Sequence, residues 1–145
     1  MKKIFIIYGH YNDKSFTCAI KDTFIESAKE NGHEVDLADL YQDKFNPVFA
    51  GEKANEEIKS YQSRIEKAEV IVFIYPVWWF RAPVIVEGFM DRVFIPPWAF
   101  KFKKVIGFYG YPVGKLKNKR AIIFNAYGSP RFATVLFFLN LPIRR

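Results

Sequence analysis

The 145-residue chain carries a single cysteine, Cys18, and two histidines, His10 and His33. One thiol cannot close an internal disulfide, so a reducing compartment is the expected setting. So few sulfur and imidazole groups also make a poor ligand supply, and no metal site is expected. No carboxylate side chain follows Asp91. Residues 1–91 hold 11 Lys/Arg against all 15 Asp/Glu, a balance of −4, whereas residues 92–145 hold the other 11 Lys/Arg alone, +11. The net charge of +7 thus hides two halves of opposite sign. A basic half of this kind raises nucleic acid or a membrane surface as a first reading. Long apolar runs are also lacking. The start, MKKIFIIYGHYND, has neither the apolar core nor the small-residue cleavage site of a leader peptide. The stretch 132–143 is broken by Asn140 and Pro142 and falls short of the ~18 residues of a membrane span. The expectation is a soluble, cytoplasmic domain with no direct membrane insertion.

Apolar and aromatic residues are plentiful. Half the chain is hydrophobic, and 16 Phe, 8 Tyr and 3 Trp exclude intrinsic disorder. Residues 3–8 (KIFIIY) and 69–75 (EVIVFIY) are continuous apolar runs, as in strands buried on both faces, and 120–125 (RAIIFN) is a third. HEVDLADL (33–40) alternates and reads as a half-exposed strand. Residues 15–31 carry a helical stripe of Phe16, Ala19, Ile20, Thr23, Phe24, Ser27 and Ala28, stopped by Asn31-Gly32. Residues 52–67 predict a polar helix with Ile58, Tyr61 and Ile65 inward, and Pro83 opens a helix carrying Ile85, Phe89 and Val93. The segment 101–118 has period-two character and three glycines, and predicts a hairpin or mobile arm. A last helix begins after Ser129. The order predicts one α/β domain over 1–145, with a doubly wound parallel sheet in the order 2-1-3-4 and helices on both faces. Ligands of such sheets sit beyond the carboxyl ends of strands 1 and 3.

Three loops lie there. Gly9 to Thr17 runs from the first strand into the first helix, whose free N–H groups and dipole suit a phosphate. Ser15 and Thr17 add hydroxyls, and His10 and Lys14 can add charge; the alternative is an ordinary helix cap. Pro76-Val77-Trp78-Trp79-Phe80-Arg81-Ala82-Pro83 follows the next central strand, and its two tryptophans and phenylalanine make an apolar platform suited to a planar ring. Its alternative is a core or dimer contact. Asn125-Ala126-Tyr127-Gly128-Ser129 follows the next strand and offers amide and hydroxyl groups to ring heteroatoms, or forms a plain turn. Phosphate donors and aromatic platforms together describe a flavin site. Cys18 reads as a packed thiol, His33 as solvated, and Lys53, Glu56, Glu57 and Lys59 as a wet helix face.

The stretch YPVWWFRAPVIVEGFMDRVFIPPWAF (75–100), with GH…KSF near the start and LADLYQDKFNPV (37–48), resembles the NAD(P)H:quinone oxidoreductase family of flavodoxin-like flavoproteins, the DT-diaphorase group. The resemblance runs the length of the chain. It implies FMN or FAD as cofactor, NAD(P)H as cosubstrate, a quinone-like acceptor, and a homodimer. It also implies two-electron hydride transfer through the flavin N5. By position, His10, Ser15, Phe16 and Thr17, with Lys14 close by, match the flavin-phosphate segment. Pro76, Val77, Trp78, Trp79 and Phe80 match the segment along the isoalloxazine. Asn46 falls near a position that approaches the flavin or the partner subunit. Asn125, Ala126, Tyr127 and Gly128 replace the family's Thr-Thr-Gly-Gly, and Tyr127 is the residue expected to touch the second substrate.

Only four parallel strands can be counted, so a fifth strand and final helix that relatives possess are expected to be missing. That loss would expose apolar surface on the fourth strand and make stability lean on dimer contacts. The alternative function is an accessory flavodoxin-like subunit that regulates a partner protein. Nucleic acid binding ranks last, because no motif supports it. The basic residues of 101–120 and Arg131 then read as steering charge for a dinucleotide phosphate.

Overall fold

Two runs without a charged residue, Ile4–Tyr8 and Val70–Pro76, need cover on both faces, and everything else in the fold is arranged to supply it. A computed structural model describes residues 1–51, 53–107 and 109–138, the side chains of Arg131, Phe137 and Phe138 excepted. The chain end that the sequence reading singled out, Pro142 to Arg145, lies outside these residues. The elements run β1 (Lys3–Tyr8), α1 (Phe16–Glu30), β2 (Glu34–Asp39), α2 (Glu56–Lys67), β3 (Val70–Pro76), α3 (Val84–Val93), β4 (Phe100–Ile106), β5 (Tyr109–Gly114), β6 (Arg120–Ala126) and α4 (Arg131–Phe138).

Among the described residues the parallel sheet has four strands in the order β2-β1-β3-β6. This is the expected order 2-1-3-4, because β4 and β5 pair only with each other as an antiparallel hairpin. Tyr8 aligns with both Asp39 and Ile74, and Pro76 with Ala126. The carboxyl ends of the strands are therefore level, and their loops gather on one rim. One sheet face (Phe5, Ile7, Ile71, Phe73) packs on Ile58, Tyr61 and Ile65 of α2 and on Ile85, Val86, Phe89 and Val93 of α3. The other (Ile4, Ile6, Tyr8, Val70, Val72, Ile74) packs on Cys18, Phe24, Ile25 and Ala28 of α1. At the sheet edge, Ile122 and Ile123 of β6 are 39% and 53% exposed. The hairpin is exposed along nearly its whole length.

Four readings change. The inward stripe of α1 is rotated from the expected one: Phe16 is 74% exposed, and Thr17, Cys18 and Ala28 are buried. Lys21 points inward too, its Nζ 5.0 Å from the centre of the Tyr8 ring and 2.9 Å from the Asp22 carboxylate. A lysine stem is apolar enough to line a core while its head stays at the edge, which is why charge alone misplaced the face. α2 begins at Glu56 rather than 52, because Asn55 caps it by accepting from the Ile58 N–H. His33 is partly buried, with an Nδ1 that has no partner among the described residues. On the wet face of α2, Glu57 departs from expectation: it lies 3.5 Å from the guanidinium of buried Arg92.

Loop 41–55 is tied down by its own residues. Phe45 enters the core and forms an aromatic triangle with Tyr61 and Phe89, at centroid distances of 5.6, 5.3 and 5.2 Å. Arg92 donates to the Asn46 carbonyl, lies over the Phe45 ring, and is 5% exposed. Gly88 lets α3 approach the same loop, since a Cβ there would overlap the Pro47 backbone.

Candidate functional site

The first rim loop is organised by hydrogen bonds within itself. His10 Nδ1 accepts from the Asn12 N–H (2.9 Å), Asn12 Oδ1 from the Lys14 N–H (2.8 Å), and the Asn12 carbonyl from the Ser15 N–H (3.3 Å). Ser15 Oγ then caps α1 by accepting from the Cys18 N–H (3.1 Å). Among the described residues the N–H groups of Phe16 and Thr17 have no acceptor. A helix start with two free amides beside an imidazole and the exposed Lys14 is an anion cradle of the ordinary kind. Thr17 itself is buried, and Phe16 projects outward.

The second loop leaves β3 through a two-residue turn. Trp78 and Arg81 exchange both backbone hydrogen bonds (2.9 and 3.0 Å), which forces Trp79 (φ 51°) and Phe80 (φ 62°) into the left-handed region. Asn and Gly normally occupy such positions. Two bulky aromatics there are strained, and strain of this kind clusters at ligand clamps. Trp79 stands 92% exposed as a result.

The third loop is joined to the second by the Val77 N–H donating to the Ala126 carbonyl (2.7 Å). Between them lies a cavity of about 370 Å³ lined by Val77, Trp79, Phe80, Tyr127, Gly128, Ser129 and Thr134. On the other side of Val77 and Phe80 is a second, of about 460 Å³, bounded by Phe73, Tyr75, Arg81, Ala82, Val86, Glu87, Met90, Ile123 and Asn125. Both volumes suit a small-molecule ligand (~300–1,000 Å³). Burial, reinforced by the Glu87 carboxylate, raises the Tyr75 phenol above its ordinary range, so it stays a neutral donor.

The first loop meets the second through aromatic contacts. His10 stacks on Tyr11 (5.0 Å, 16° between planes) and meets the edge of Trp78 at 5.8 Å; Tyr11 reaches Trp78 at 6.1 Å and Tyr41 at 6.2 Å. The structure therefore gathers His10, Lys14, Ser15, Phe16 and Thr17, then Pro76 to Phe80, then Asn125 to Gly128, on one rim. Asn46 differs: its carbonyl is held by Arg92 and its Oδ1 accepts from the Val48 N–H (3.0 Å). Residues the sequence reading missed are Tyr11, Tyr41, Arg81, Glu87 and Thr134. Tyr11 and Arg81 had a usable signal, since each lies inside a loop already singled out. Cys18 is a packed thiol, 4% exposed, with Sγ 3.4 Å from the Asp22 carboxylate. No cluster of metal-ligating side chains occurs among the described residues, and no helix there is long and apolar enough to cross a membrane.

A parallel sheet wound 2-1-3-4 with helices on both faces, and with its strand-end loops gathered on one rim, defines the doubly wound α/β class. Residues 2–138 match the flavodoxin-like fold family, and the chain belongs to it. It is 36% identical over 133 residues to a Haemophilus influenzae protein named an uncharacterized NAD(P)H oxidoreductase, covering 86% of this chain and 63% of that one. It is 30% identical over 147 residues to ribosyldihydronicotinamide dehydrogenase (quinone) of Mus musculus, covering 84% and 62%. The crystal structure of Smu.1420 from Streptococcus mutans UA159 superposes with a TM-score of 0.75 at 33% identity, covering 91% and 71%. The chain thus spans under two thirds of the length of these two curated relatives.

Proposed function

We propose that the protein is a flavin-dependent NAD(P)H:quinone oxidoreductase. The observation that carries this reading is the convergence of an anion cradle and a strained aromatic turn on one rim, with a cavity between that turn and the loop after β6. The residues fit a flavin nucleotide. The amides of Phe16 and Thr17 and the imidazole of His10 would hold its phosphate, and Trp78, Trp79 and Phe80 would lie along its ring. Asn125, Ala126 and Gly128 would border the ring's polar edge. When bound, the flavin accepts hydride from NAD(P)H and delivers two electrons to the acceptor. The protein's part is to bind, orient and exclude water. Apolar walls at Val77, Phe80 and Met90 would exclude water, and Tyr127, which lines the smaller cavity, would touch the second substrate. The relatives' names, NAD(P)H oxidoreductase and quinone dehydrogenase, support the same chemistry. A homodimer in the cytoplasm accords with the resemblance.

The test is direct. Purified protein is examined for flavin absorbance, the released flavin is identified as FMN or FAD by mass, and NADPH is added with and without a quinone. Bleaching followed by quinone-dependent turnover is expected. Bound flavin without turnover would favour the accessory role, and failure to bind any flavin would overturn both.

A further inference from the structure

Among the described residues the parallel sheet ends on β2 at one side and β6 at the other, and the two edges are finished differently. On β2 the even-numbered residues face β1, since the Glu34 N–H donates to the Lys2 carbonyl and the Leu40 N–H to the Tyr8 carbonyl. Leu37 therefore turns its carbonyl to the open side. Arg64 covers it, donating at 2.8 Å while holding the neighbouring Asp36 carboxylate. Glu34 and Asp36 add exposed charge to the same edge. Charge and cover are how sheets keep an edge from pairing. On β6 the Arg120 N–H donates to the Glu69 carbonyl (3.0 Å), and the Ala126 carbonyl accepts from the Val77 N–H (2.7 Å), so the even-numbered residues face β3. By strand alternation Ala121 and Ile123 turn their backbone groups to the open side, where no described residue meets them. From 121 to 126 (AIIFNA) the strand carries no charge.

We infer that the β6 edge takes the β6 of a second copy of this chain, antiparallel about a two-fold axis at Ile123. The strand is self-complementary, as a two-fold contact demands. In that register Ile123 faces Ile123 of the second copy and exchanges both backbone bonds with it, the closely bonded pair of an antiparallel ladder. Ile122 lies opposite Phe124 on the α1 face of the sheet, and the two Ile123 side chains meet on the α3 face. Ala121 lies opposite Asn125, and Arg120 opposite uncharged Ala126, so apolar meets apolar and no like charges meet. The covered β2 edge offers no place for the pairing to continue, and it closes at two copies. This inference is independent of the flavin reading. It also makes the cavity of about 460 Å³ bordered by Ile123 and Asn125 a joint one, with the second copy's β6 along its open side.

Sedimentation equilibrium of the whole chain should show a dimer, and amide exchange at Ala121 and Ile123 should slow as the dimer forms. Ile123→Lys and Ile123→Glu each set like charges face to face, and each should weaken self-association about tenfold or more. Mixed in equal amounts the two variants should pair again, because Lys then faces Glu. Circular dichroism checks that both fold; should either fail to, the exchange measurement on the unchanged chain decides alone. A chain that stays monomeric, or a dimer whose Ala121 and Ile123 amides exchange freely, would overturn the inference. So would a dimer that both substitutions spare, or one that the folded variants lose and their mixture does not restore. Protection of those amides in a monomer would give the edge to residues 139–145 of the same chain, and growth beyond two copies would give it to open-ended pairing. Either result would overturn the two-fold contact.

Discussion

Trp79 and Phe80 carry bulky rings through a backbone region where an L residue costs about 1–2 kcal/mol. Nothing in their surroundings repays that at Trp79, whose ring is almost wholly in solvent. Trp79→Asn should therefore raise unfolding free energy by about 0.5–1 kcal/mol, since Asn tolerates the left-handed region. The same change should weaken flavin binding. Urea denaturation and a flavin fluorescence titration would show the two moving in opposite directions. Two tyrosines give a second prediction. Burial raises the Tyr8 phenol well above its ordinary 10.0, and burial followed by the Asp43 carboxylate does the same to Tyr61. Neutral phenol is thus favoured in the folded state. The stability this contributes is full below pH 10.0 and is lost as pH rises above it. In an alkaline titration, tyrosinate absorbance from these residues should appear together with loss of helical circular dichroism, not before it. At this scale the sequence was legible where chemistry is local: Gly9, Ser15 and Asn31 follow from the turn and cap preferences of their types. Inward-facing Lys21 and the Tyr11–Tyr41 contact were not, because each depends on which elements pack against it.

Helix α3 and loop 41–55 show how one missing side chain sets the spacing of two elements. Gly88→Ala would gain up to about 1 kcal/mol in helix propensity. It would also place a Cβ against the Pro47 backbone, and overpacking of that kind costs about 1–3 kcal/mol. The clash should win, with a net loss of about 1–2 kcal/mol and weakened anchoring of Asn46 by Arg92. Asn55→Ala should cost α2 about 1 kcal/mol by leaving the Ile58 N–H without its cap. Both are checked by denaturant melts against the unchanged chain. Strands were the most readable elements: β1 begins and ends where the apolar run does, and β3 is shifted by one residue. Helix faces were less so. The polar composition that suits a helix begins before residue 56, and the cap at Asn55 sets where the helix starts.

The whole molecule divides its charge along its architecture. The core sheet and its helices hold most of the acids, and much of the basic excess lies on or beside the exposed hairpin. Lys101, Lys103 and Lys104 are solvent-exposed on β4. Changing all three to Gln lowers the net charge from +7 to +4, and should alter stability by no more than about 0.5 kcal/mol. Association with NADPH should slow several-fold at low salt and little at high salt. Stopped-flow rates at two ionic strengths would show it. The strand order was legible because right-handed crossovers leave few choices. How the hairpin leaves the sheet was not legible, since its root is made by contacts far apart in sequence.

That root has its own consequence. The Lys115 N–H donates to the Ala99 carbonyl at 2.8 Å, the Lys115 Nζ to the Pro97 carbonyl, and Lys119 fastens the returning chain to the carbonyls of Glu66 and Ala68 at the end of α2. The chain enters and leaves the excursion at one stapled point, so β3 and β6 sense only that their connection is closed, not how much lies beyond. Closing a longer flexible loop costs little more, about 0.6 kcal/mol per doubling. Residues 100–114 are thus a cassette, whose length and sequence can be exchanged while the sheet and its rim keep their shape.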